Sequence, residues 1–173
     1  MAEPPGWIAE LYTHDTLDYL FLLAYNEYTD QAYSWSRAFR ELGDRTLHLP
    51  TIYNTDLNIA MRAAEMLRPQ LCCRDVVDVG AGMGLFDLVL AYVARPRLLI
   101  ALDHDPSFTL VYTYLQQLAD AHGLNVQYMI APVQVIGRKL DAAIVATYSG
   151  AEYMKKIASQ VAEKVILLTA QTP

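Results

Sequence analysis

As far as Pro69, the apolar positions of this chain recur every three or four residues. In WIAELYTHDTLDYLFLLAYNEY (7–28), Leu11, Leu17, Leu20, Phe21 and Ala24 fall on one side of a helix with 3.6 residues per turn. A second helix is expected over 30–42, stopped by Gly43, and Pro50 and Asn54 mark 44–56 as a connector. The segment TDLNIAMRAAEMLRP (55–69) reads as a third helix, with Thr55 as its N-cap and Pro69 as its stop.

Beyond residue 70 the pattern changes to short apolar runs at 75–79, 97–102, 125–130, 141–146 and 164–169. Helix-sized segments separate them at about 84–94, 106–122 and 150–162, and a short helical turn fits 132–137. Strands with so little polar alternation are buried on both faces. Joined by helices, they predict an α/β fold with a doubly wound, mainly parallel five-stranded sheet. Residues 1–69 are then an N-terminal helical cap packed on a core formed by 70–173.

The chemistry concentrates where the first strand meets its helix, in VVDVGAGMGLF (76–86). Ligands of doubly wound sheets bind beyond the carboxyl ends of the strands. Glycines there permit positive φ and let a ligand approach the backbone without a Cβ in the way. The spacing is G-x-G-x-G, because position 85 is Leu and not Gly. The G-x-G-x-x-G of a dinucleotide site is therefore missing, which disfavours a nicotinamide oxidoreductase, and no Gly-Lys-Ser/Thr follows to make a P-loop. A second acidic position, Asp103, closes the next strand in LLIALDHDP (98–106), where ribose hydroxyls need an acceptor. Asp105 followed by Pro106 reads as the cap and first position of the next helix.

The stretch VDVGAGMG (77–84), with its carboxylate two places before the first glycine, resembles motif I of the Rossmann-like S-adenosylmethionine-dependent methyltransferases. The resemblance runs from about residue 70 onward. It implies S-adenosylmethionine as cofactor, a loop of Gly80, Ala81, Gly82 and Gly84 beneath its methionine and ribose, and Asp78 directed at the methionine ammonium. It further implies that Asp103 binds the ribose hydroxyls, that His104 packs on adenine, and that backbone at Ala131 replaces the acidic adenine contact common in the family. Family members that methylate amide nitrogens end their fourth strand in Asn/Asp-Pro-Pro-aromatic. Here DAAIVATYSG (141–150) has Ala146 at that place, so amide-nitrogen chemistry is unsupported. No general base declares itself, and Tyr148 is the candidate for a substrate-facing role. The family's common core has seven strands, whereas this chain stops at a fifth. Strand five is expected to present an open edge, covered by another subunit, by the N-terminal helices or within a larger assembly.

Both tryptophans and six of the twelve tyrosines lie before residue 70. They read as an aromatic-rich cap, with Tyr53 and Asn54 as lid candidates. The chain has 173 residues, 54% of them hydrophobic and 18% charged, enough for one well-filled domain. Its net charge of -6 disfavours nucleic acid as partner and favours a small-molecule or protein acceptor. Cys72 and Cys73 have no spaced Cys or His partners, so no metal site is expected; they read as two half-buried thiols of a reducing compartment. No basic, apolar leader opens the chain, and no apolar run reaches the ~20 residues of a membrane span, so a cytoplasmic protein is expected. Two functions follow: methyl transfer to an oxygen or nitrogen of an unidentified acceptor, or a non-catalytic binding or assembly subunit that keeps the fold.

Overall fold

The computed structural model describes residues 2–24, 52–146 and 151–168. Five parallel strands form one sheet in the order β3-β2-β1-β4-β5: β1 Asp75–Val79, β2 Leu98–Asp103, β3 Val126–Ile130, β4 Leu140–Ala146 and β5 Ala162–Leu168. Helices α1 Gly6–Leu11, α2 His14–Ala24 and α3 Leu57–Leu71 precede β1. Helix α4 Leu85–Val93 follows β1, α5 Thr109–Ala121 follows β2, and α6 Ala151–Ser159 follows β4. Between β3 and β4 there is only a 3-10 turn, Val133–Ile136.

Alternate residues of each strand build two cores. Val76 and Ala101 join Leu85, Leu88 and Leu115 on the face covered by α1 to α5. Val77, Val79, Ile100 and Leu102 join Val133, Ala158 and Val161 on the opposite face. Parallel strands need right-handed crossovers. The chain steps outward from β1 to β3 on one side, then returns across the other face to β4. Neighbouring β1 and β4 therefore send their connections to opposite faces, which opens a crevice at their carboxyl ends.

The five strand positions and the helices of this region match the sequence pattern to within two or three residues at their ends. The N-terminal segment differs. The expected helix over 7–28 is broken at Tyr12 and Thr13, where the Thr13 hydroxyl accepts a hydrogen bond from the Thr16 N–H at 3.4 Å and caps α2. Helix α3 is capped by Asp56, whose Oδ1 accepts from the Ile59 N–H at 3.0 Å, and not by Thr55. Pro69 does not stop α3; the helix runs on to Leu71, held by a bond from the Cys72 N–H to the Arg68 carbonyl. A proline in a last turn removes one donor without blocking the residues after it. Ile8, Leu20 and Leu71 are fully buried in the same cluster as Leu85 and Leu88, so the described N-terminal helices share the core of the sheet. The helix expected over 30–42, with its Gly43 stop, lies outside the described residues.

Strand β5 pairs with β4 alone, and its other edge meets no strand among the described residues. Among those residues no helix is long and apolar enough to cross a membrane.

Candidate functional site

Gly80, Gly82 and Gly84 all take positive φ, at 78°, 61° and 78°. The N–H groups of Gly80 and Ala81 both donate to the Leu102 carbonyl, at 2.8 and 2.9 Å, which ties the loop to the end of β2. The three glycines differ in what surrounds them. A Cβ at Gly84 would lie 2.7 Å from Tyr128 Cε1 and 3.1 Å from Tyr112 Cε1; at Gly82 it would meet nothing within 4 Å, and at Gly80 it would touch Met154 Cε at 3.4 Å. The third glycine is required by tyrosine packing, whereas Gly82 faces open space.

Gly84 is the N-cap of α4 and offers no side chain to the helix. Asn54 supplies one from 32 residues upstream, accepting from the Phe86 N–H at 3.0 Å through Oδ1. Asn54 and Tyr53 are buried, and the Tyr53 ring stacks on Phe86 at 4.9 Å. They support the loop from beneath and are not lids over the cleft.

Asp103 Oδ2 accepts the Gly82 N–H at 2.9 Å, and Oδ1 accepts the Asp105 N–H at 2.9 Å. An ionised carboxylate has about four lone-pair sites, so acceptor capacity remains. Asp105 in turn accepts from the Ser107 N–H at 2.9 Å, with Pro106 in the first position of the turn, as the sequence predicts. His104 is exposed, its Nδ1 3.9 Å from Asp103 Oδ1.

A cleft of about 690 Å³ opens at these strand ends. Of the residues singled out by sequence, Gly80, Asp103, His104 and Ala131 line it; Asp78, Ala81, Gly82 and Gly84 do not. The Ala131 N–H is already committed to the Asp103 carbonyl at 2.9 Å, so only its carbonyl remains for a ligand. The far wall comes from Gln134 after β3 and from Tyr153, Met154 and Lys156 on α6. Tyr148 lies outside the described residues.

Asp78 points away from the cleft, toward α4, where it meets Asp87. Both are buried; among the described residues Asp78 Oδ1 and both Asp87 oxygens have no hydrogen-bonding partner apart from the contact between the two acids, and the Tyr112 hydroxyl has none. Burial pushes the Asp78 carboxyl up to about 7, with the nearby Asp103 charge adding to the rise and the bond to Asp87 opposing it. Burial and the Asp78 charge hold Asp87 well above the carboxylate range. Two carboxyls in contact in a dry site cannot both ionise, so the pair retains a proton near neutrality. The Tyr128 hydroxyl donates to the Gly84 carbonyl at 2.7 Å, and its ring lies 5.0 Å from that of Tyr112. Sequence reasoning missed Asp87, although it is the only charged residue in the otherwise apolar helix LFDLVLAYV. Tyr112 and Tyr128 gave no such signal, since their positions suit ordinary core packing.

No protein-family model matches the chain, and no curated protein matches it in sequence. Solved structures do match its fold. Magnesium protoporphyrin IX methyltransferase of Synechocystis PCC 6803, with bound SAH, aligns with a TM-score of 0.54 at 19% identity, over 87% of this chain and 71% of that one. A candidate RNA methyltransferase of Pyrococcus horikoshii aligns with a TM-score of 0.51 at 20% identity, over 70% of this chain and 64% of that one. Thermoplasma acidophilum 1320 aligns with a TM-score of 0.50 at 21% identity, over 68% and 62%. The chain thus spans less than two thirds of the length of the latter two. The likeness is one of fold: a Rossmann-like sheet of the methyltransferase type.

Proposed function

We propose that this chain binds S-adenosylmethionine in the cleft at the ends of β1 and β2 and transfers its methyl group to an oxygen or nitrogen of a small-molecule or protein acceptor. The observation that carries the reading is the Asp103 carboxylate, held beside the glycine loop by the Gly82 N–H with lone pairs to spare for two vicinal hydroxyls. The rest of the cleft fits the same ligand. Its volume lies within the roughly 300–1,000 Å³ of small-molecule sites. Leu102, Val133 and Ile157 offer apolar wall for a flat ring, and Gly80 brings backbone to the floor without a Cβ.

When bound, the cofactor supplies an electrophilic methyl group on a sulfonium. The chain's own residues would hold and desolvate it: Asp103 the ribose hydroxyls, His104 and the Ala131 carbonyl the adenine, and the loop of Gly80, Ala81, Gly82 and Gly84 the methionine end. Asp78, behind the loop and paired with Asp87, acts on the ammonium from the second layer through its charge state. In this reading residues 1–69 serve as a cap on the 70–173 core of a cytoplasmic protein, and another subunit, the N-terminal segment or a larger assembly covers the free edge of β5.

A second reading is favoured by β4 ending in Ala146, with no acid or amide there to hold an acceptor. In it the chain is a non-catalytic binding or assembly subunit that keeps the fold, with or without S-adenosylmethionine, and turns nothing over. Calorimetric titration with S-adenosylmethionine and S-adenosylhomocysteine tests the first reading; no heat and no thermal shift with either removes it and leaves the second. Methyl transfer from labelled cofactor across acceptor panels then separates them.

A further inference from the structure

At the opposite end of the sheet from the cleft, α3 gives way to β1 through two adjacent cysteines. Their Sγ atoms lie 2.9 Å apart. Cys73 is exposed and Cys72 partly so, and both are free thiols. Three successive N–H groups fix the turn: that of Cys72 donates to the Arg68 carbonyl at 2.9 Å, that of Cys73 to the Arg95 carbonyl at 3.1 Å, and that of Arg74 to the Leu71 carbonyl at 3.2 Å. Cys73 takes a φ of 65°, a left-handed conformation that a non-glycine residue holds only when its surroundings impose it. Neighbouring cysteines in a flexible segment would point apart most of the time. Here the turn holds both sulfurs on one side.

We infer that Cys72 and Cys73 form a bidentate site for a thiophilic, trivalent arsenical. Among the described residues no group of three or more His, Cys, Asp or Glu side chains stands together to hold a metal ion. The pair therefore suits a centre that needs two sulfurs and brings its remaining substituent with it. The reaction balances without a redox step: an organoarsenic oxide, R–As=O, forms two As–S bonds, its As=O bond breaks, and the two thiol protons leave with the oxygen as water. The Sγ–Sγ contact with Cys72 raises the Cys73 thiol above its ordinary range, opposed by the Arg97 charge, so Cys73 carries near neutrality one of the protons that leave with the oxygen. The second As–S bond forms within the molecule. A dithiol site should then hold the arsenical more tightly than one thiol by on the order of 10²–10⁴-fold, the usual gain from linked binding.

Phenylarsine oxide is titrated into the full chain kept reduced with a phosphine. One equivalent should bind, add the reagent's mass less one water, and block both thiols to a thiol-specific dye. A dithiol competitor should reverse it and excess glutathione should not. Cys72→Ser and Cys73→Ser, folded by circular dichroism, should each lose at least about a hundredfold in affinity and yield the reagent to glutathione. Equal affinity in wild type and either variant, or one thiol still titratable in the wild-type adduct, would overturn the inference. Cofactor titration is a separate measurement, since the pair lies outside the cleft.

Discussion

The carboxylate of Asp103 accepts the backbone N–H of Gly82 at 2.9 Å, so the residue that closes β2 and the middle glycine of the loop after β1 form one rigid unit. Its other oxygen is held by the Asp105 N–H. The geometry positions a charged acceptor in advance, which is what a hydroxyl-bearing ligand needs, because little ordering remains to be done on binding.

Asp103→Ala should therefore weaken S-adenosylmethionine by about 10–150-fold, as expected for hydrogen bonds to a charged group worth roughly 1.5–3 kcal/mol. Calorimetry of the folded variant checks this. If affinity is unchanged while the melting temperature falls, the carboxylate only braces the loop, and the cofactor assignment of this residue is lost.

Gly82 and Gly84 should separate under the same substitution. Gly84→Ala places a methyl 2.7 Å from the Tyr128 ring, at a φ of 78°. Backbone strain of roughly 1–2 kcal/mol and overpacking of roughly 1–3 kcal/mol both act, so a large loss of stability is expected. Gly82→Ala meets open space and bears only the backbone strain of φ 61°, roughly 1–2 kcal/mol. Denaturant midpoints should rank wild type, Gly82→Ala, then Gly84→Ala, while ligand affinity should suffer even in the milder variant.

The buried acid pair predicts an unusual pH dependence. Asp78 and Asp87 hold protons in the folded chain at pH values where the unfolded chain has lost them. Since the native state then binds more protons, stability falls as pH rises. The contribution of Asp78 is fully present below the ordinary carboxylate range near 4 and is lost as pH climbs through about 7, where it titrates, and Asp87 acts in the same direction. Asp87→Asn removes one ionisable member, so its melting temperature should gain on wild type between pH 5 and 8 by several degrees, at roughly 2–4 °C per kcal/mol for a chain of this length. Parallel melting curves of the two proteins across that range would show that the pair does not titrate.

Asn54→Ala leaves the Phe86 N–H buried without an acceptor. A loss of about 1–2 kcal/mol is expected, the size of a lost helix cap. Amide exchange should quicken in the first turn of α4 more than in β1, and uniform quickening across both would assign Asn54 a general packing role instead.

The strands, their helices and the glycine turn were legible in the sequence because each is a local pattern. Apolar runs of five to seven residues, helix-length spacers and G-x-G-x-G after a strand depend on neighbours a few residues away. Asp103 was legible for the same reason, as the acid that ends the second run. The break at Tyr12 and Thr13 was not, because the apolar period continues across it and a hydroxyl competes with the backbone for one N–H.

What only the tertiary structure decided is how those local features meet. Gly84 is glycine because Tyr112 and Tyr128, 28 and 44 residues later, close on its α-carbon. Asp78 reads in sequence as a residue facing the cleft, yet the pleat of β1 sends it to the α4 face, where Asp87 stands one helical turn beyond the loop. Side-chain direction in a strand alternates with period two. Which of the two faces carries the cleft depends on where the crossovers run, and no window of sequence contains that.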